Sequence, residues 1–131
     1  MSSLRWRFPA APQSVADARR AARIVAHSYG VDAGMIDAIA LCVSEAVTNA
    51  VVHAYRDHAE PGGVEVEAHK PDSFICIYVR DEGGGMEPRT DSPGSGFGLP
   101  MIAELASDVS IRSGDSDAPG TELAMRFDLP S

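Results

Sequence analysis

The stretch LCVSEAVTNAVVHAY, residues 41–55, decides how this chain is built. Together with the residues before it, it carries an apolar stripe of Ile36, Ile39, Ala40, Val43, Val47, Ala50, Val51 and Ala54 at the period of an amphipathic helix. Asp32 can cap that helix, and the breaker EPGG at residues 60–63 stops it, so one helix is expected to run to about Tyr55. Glu45, Asn49 and His53 recur along it at intervals of four. Turning about 100° per residue from Ile36, they fall near 180°, 220° and 260°, a slanted ridge opposite the core. One reading is a solvated helix back. The neighbours favour another: Ala38, Leu41, Cys42 and Val52 surround the ridge, and between Met35 and Ala54 the acids are Asp37 and Glu45, with no Lys or Arg. Such a back is expected to be covered. A covered carboxylate and amide need partners, because burying each unpaired costs about 1 to 3 kcal/mol or more. A ligand or a cation would serve.

Outward from this helix, the rest of the chain alternates between elements and breakers. Leu4, Trp6 and Phe8 alternate with Arg5 and Arg7 as a short strand stopped by Pro9. Pro12 opens a helix whose stripe is Val15, Ala18, Ala22, Val25, Ala26 and Tyr29, with Gly30 as its stop. VEVEAHK and SFICIYVRD, joined by a Pro-Asp turn, form a β-hairpin. Val64, Val66 and Ala68 line its inner face with Ile75, Ile77, Val79 and Asp81, while Phe74, Cys76 and Tyr78 share the other face. Residues 82–98 are too rich in glycine for a regular element and form a long loop. Pro100 can sit in the first turn of a third helix reaching about Ala106, followed by strands DVSIRS and TELAMRFDL. Two hairpins exclude an all-parallel nucleotide fold. A single α+β domain over residues 1–131 is expected, a two-layer sandwich with a mixed, mostly antiparallel sheet and helices on one face.

The loop suggests a ligand class. In DEGGG, residues 81–85, Asp81 leaves the strand on the face that turns toward the helical layer, so it and Asn49 can share a pocket. Gly83, Gly84 and Gly85 let backbone approach a planar ring, and a carboxylate accepts a hydrogen bond from an exocyclic amine such as that of adenine. By itself the pattern also describes a surface turn. GSGFGLPMI, residues 94–102, runs from glycine-rich loop into a helix start, where free N–H groups favour phosphate. It has neither the P-loop spacing nor a surrounding βαβ unit.

Composition narrows the partners. Eleven Lys and Arg against 19 Asp and Glu leave a formal charge of −8, which opposes attraction to nucleic acid or anionic lipid. Cys42 and Cys76 lack CxxC spacing and suit a reducing compartment as small packing residues. The N-terminus has no apolar signal region and no wholly apolar run approaches ~18 residues, so a cytoplasmic chain outside the membrane is expected.

EAVTNAVVH, DEGGG and GSGFGLPMI in this order, followed by Gly120 and Thr121, resemble the GHKL (Bergerat-fold) ATP-binding superfamily, and within it the anti-sigma-factor serine/threonine protein kinases. The likeness runs from LRWRFPA through TELAMRFDL. It implies that Asn49 coordinates Mg²⁺, Glu45 is the general base, Asp81 reads the adenine of ATP, and Thr121 supports it through water. Gly83, Gly85, Gly96, Phe97, Gly98 and Leu99 would belong to an ATP lid loop and its helix start. His53 can touch phosphate or satisfy a local hydrogen bond, and Arg89 can contact phosphate or remain an ordinary solvated arginine. The implied function is an anti-sigma regulator that sequesters a sigma factor and phosphorylates an anti-anti-sigma (STAS-type) partner. A non-catalytic, ATP-gated binding module is the alternative; a sensor-kinase fragment would need a phosphoacceptor hairpin for which the chain has no room. Phe74, Cys76 and Tyr78, on the face without helices, are expected to support homodimer formation or partner docking, unless Glu65 and Glu67 shield them.

Overall fold

Alternation along the strands sorts the sheet into an apolar and a charged face. A computed structural model describes residues 3–54, 62–83, 98–114 and 120–130. Its strands are β1 (Leu4–Pro9), β2 (Gly63–His69), β3 (Phe74–Asp81), β4 (Asp108–Ser113) and β5 (Thr121–Asp128), and its helices α1 (Gln13–Ser28), α2 (Ala33–Asn49) and α3 (Gly98–Leu105). The sheet order is β1-β2-β3-β5-β4, and every pairing is antiparallel, so the mixed sheet expected from sequence is corrected to an antiparallel one. The chain leaves β3, passes through α3, forms the edge strand β4 and returns as β5 beside β3. That return sets Asp81 opposite Thr121.

Val64, Val66 and Ala68 of β2, Ile75, Ile77 and Val79 of β3, and Leu123, Met125 and Phe127 of β5 are buried together with Ile39, Val43 and Val47 of α2 and Ile102 of α3. A period of two on the strands and of 3.6 on the helices therefore meet in one core between the layers. Asp32 caps α2 through a 2.8 Å hydrogen bond that its carboxylate accepts from the Met35 amide. Gly30, at φ 79°, closes α1 in a conformation that suits glycine.

The long helix departs from expectation. It does not run unbroken to Tyr55; α2 ends at Asn49 and a π-helical turn, Ala50–Ala54, follows, while residue 55 lies outside the described residues. A π turn closes i→i+5 hydrogen bonds and so advances less per residue than an α turn. By length and mean hydropathy, 1.6, Ala33–His53 matches a membrane span, although the residues include no unbroken apolar run of that length. Burial of Ile39, Val43, Val47 and Ala50 in the core accounts for that apolarity.

Among the described residues, the other face of the sheet carries no helix. Arg80 bridges three strands there, donating to Glu65 at 2.9 Å and to Glu67 at 2.7 Å through one nitrogen, and to Glu122 at 2.7 Å through another. Burial works against its charge, but the hydrogen bonds to these carboxylates outweigh it and hold the guanidinium above its ordinary pKa. Arg80 also lies over the Tyr78 ring at 4.9 Å and Arg126 over Phe74 at 4.5 Å. The aromatics are half-buried. Arginines shield them, while Glu65 and Glu67 hold Arg80 in place.

Candidate functional site

Glu45 and Asn49 occupy the last turns of α2, and His53 the π turn beyond; all three are half-buried. Glu45 and Asn49 stand one turn apart, about 6 Å along the axis. On a continuous α-helix His53 would sit about 40° past Asn49, and the lower advance of the π turn draws it back toward the bearing of Asn49. The π turn touches β3, the strand that ends in Asp81, and α2 packs on α3, the helix that begins at Gly98.

The ridge is covered only in part, less than the sequence suggested. Cys42 is buried, but Leu41 and Val52 are exposed, at 43% and 45%. The physical reason is lateral packing: among the described residues α2 packs against α1 and α3, and this packing leaves Leu41 and Val52 outside the core. Burial, then the nearby Glu45 carboxylate, push the Cys42 thiol up to about 12. Ser44, also buried, has a hydroxyl without a hydrogen-bond partner among the described residues.

Asp81 ends β3 with only 6% of its surface exposed, and Thr121 opposite it retains 4%. One Asp81 carboxylate oxygen accepts a 3.0 Å hydrogen bond from the Gly83 amide, which fixes the side chain at the root of the glycine-rich segment. Gly120, just before Thr121, has φ 144°, and a Cβ there would meet the Asp81 carbonyl oxygen at 2.6 Å. This close approach was not anticipated; a glycine directly before a strand was its sequence signal. A buried carboxylate, a buried hydroxyl and the glycine backbone at Gly83 fit a planar ring with an exocyclic amine.

Gly98 and Leu99 open α3, with Leu99 packed against the core. Gly85, Arg89, Gly96 and Phe97 lie outside the described residues. Among the described residues no group of three or more His, Cys, Asp or Glu gathers to hold a metal. Magnesium is satisfied by one or two protein oxygens together with phosphates and water, so a lone Asn49 carboxamide suits it better than a protein cage would.

The model of the histidine kinase-like ATPase domain matches residues 8–127. The chain belongs to the histidine kinase-like ATPase domain family. Among characterised relatives of this domain, the chain is 32% identical to the serine-protein kinase RsbW of Oceanobacillus iheyensis over 125 residues, 84% of this chain and 78% of the relative. It is 37% identical to the anti-sigma F factor of Bacillus subtilis over 94 residues, 63% of this chain and 62% of that protein. A crystal structure of the RsbU and RsbW domains of a Mycobacterium tuberculosis protein superposes with a TM-score of 0.77 at 26% identity, covering 98% of this chain and 33% of that one. The five-stranded sheet with helices on one face is thus the architecture of this ATPase domain.

Proposed function

We propose that this chain is an ATP-dependent protein serine/threonine kinase of the anti-sigma type, one domain over residues 1–131, acting in the cytoplasm. It would hold a sigma factor and phosphorylate a small anti-anti-sigma (STAS-type) partner. The observation that carries the nucleotide half is the buried Asp81, set by the Gly83 amide and faced by Thr121. The partner half is supported by the kinase and anti-sigma names of its relatives.

In this reading Asp81 accepts the adenine amine, Thr121 backs it through water, and Gly83, Gly85, Gly96, Phe97, Gly98 and Leu99 form the lid and the phosphate-facing helix start. Bound Mg²⁺ would offset phosphate charge, with Asn49 supplying the protein oxygen and His53 lying beside it toward the phosphates. Glu45, one turn back, accepts the proton of an acceptor serine or threonine. Exclusion of water and positioning do most of the rest.

The deciding experiment incubates wild type and Glu45→Ala with labelled ATP, Mg²⁺ and anti-anti-sigma proteins of the same genome. Transfer by wild type, reduced about 10² to 10⁴-fold in the variant with nucleotide affinity retained, is the expected result. Nucleotide-dependent sigma binding with no wild-type transfer would instead establish the ATP-gated binding module.

A further inference from the structure

The open back of α2 carries an ordered apolar row. Leu41 and Val52 stand out of the surface, 43% and 45% exposed. Thr48 falls between them: it lies about 20° from Leu41 on the helical wheel, and the lower advance of the π turn keeps Val52 near the same bearing. The Thr48 hydroxyl donates to the Ser44 carbonyl at 2.7 Å, so its donor is satisfied within the helix, and the residue is half-buried. Glu45 sits one turn from Leu41, about 40° to the side of this row. No Lys or Arg occurs between residues 33 and 54, and Asp37 is tied to Arg23 of α1 at 2.9 Å. The row is therefore apolar and uncharged, with Glu45 at its margin.

We propose that Leu41, Thr48 and Val52 form the docking face for the phosphoacceptor protein, which covers them with an apolar surface beside its acceptor hydroxyl. This rests on Glu45 being the general base. A base must come within about 2.6 to 3.2 Å of the hydroxyl it deprotonates, so whatever bears that hydroxyl has to lie over this side of α2. A flexible charged peptide would leave the row wet. An apolar surface on a folded acceptor dries it, and a dried margin keeps water from competing with the hydroxyl for the phosphoryl group. A second copy of this chain seated here would instead screen Glu45 from any acceptor.

The test uses the full chain with Mg²⁺ and a non-hydrolysable ATP analogue. An anti-anti-sigma protein of the same genome, its acceptor serine replaced by alanine, is titrated calorimetrically into wild type, Leu41→Glu and the milder Val52→Ser. Both positions are exposed, and thermal melts confirm folding. Acceptor affinity at least tenfold weaker, with nucleotide affinity unchanged, is the expected result. Unchanged acceptor affinity in both folded variants, nucleotide affinity falling in step, loss of self-association or sigma binding alone, or a wild type that binds no such acceptor would each overturn the docking face. Failure of the kinase reading has a different signature: wild type binds the intact acceptor through Leu41 and Val52 yet transfers no phosphate to it.

Discussion

A Cβ on Gly120 would stand 2.6 Å from the carbonyl oxygen of Asp81, closer than real side chains approach backbone. The start of β5 therefore lies against the end of β3 where the buried carboxylate emerges. Gly120→Ala has to move that backbone and adopt a φ near 144°, a strain of about 1 to 3 kcal/mol. ATP affinity is expected to fall about tenfold or more, beyond what the accompanying loss of thermal stability explains. Calorimetric titration at a temperature well below the melting midpoint checks this, and wild-type affinity in the variant would remove Gly120 from the site.

Asp81→Asn keeps the shape of the buried side chain but replaces an acceptor with an amide that can present a donor. Preference for ATP over GTP is expected to shrink about tenfold or more, read from competition binding with both nucleotides. Undiminished preference would take base recognition away from Asp81.

Asn49→Ala deletes the one side-chain amide oxygen of α2, the group proposed to hold magnesium. Nucleotide affinity in the presence of Mg²⁺ is expected to drop at least tenfold, while the smaller affinity measured in EDTA changes little. An equal loss with and without the metal would assign Asn49 to general packing.

The charged face predicts a pH dependence. The hydrogen bond from Arg80 lowers the Glu67 carboxyl below its ordinary 4.5, more than burial raises it. A carboxyl lowered on folding stabilises the protein above the unfolded pKa and loses that contribution as pH falls through the folded one. Glu67→Gln is therefore expected to unfold at lower urea than wild type at neutral pH. The gap should close as acid passes below 4.5, monitored by paired urea melts from pH 7 to pH 2.5. A gap independent of pH would mean that the loss is one of packing.

Much of the architecture was legible locally, because side-chain alternation is a property of neighbouring residues. The runs VEVEAHK and SFICIYVRD declare their buried faces through a period of two, and Val64, Val66, Ile75, Ile77 and Val79 are buried accordingly. The helix caps at Asp32 and Gly30 were equally local signals. The order of the motifs pointed to the ATPase family, and the family match over residues 8–127 bears that out.

Relations between distant segments were settled by the tertiary structure. Asp81 and Thr121 are 40 positions apart, and only the return of β5 beside β3 places them opposite one another and brings Gly120 onto the Asp81 carbonyl. AVVHA has the same apolar spacing whether it continues an α-helix or forms a π turn, so the break after Asn49 left no mark in the pattern. The exposure of Leu41 and Val52 likewise depends on where α1 and α3 pack against α2. A helix's own sequence tells which side is apolar enough to be buried, but which of its remaining sides stays open depends on the neighbours the fold brings to it.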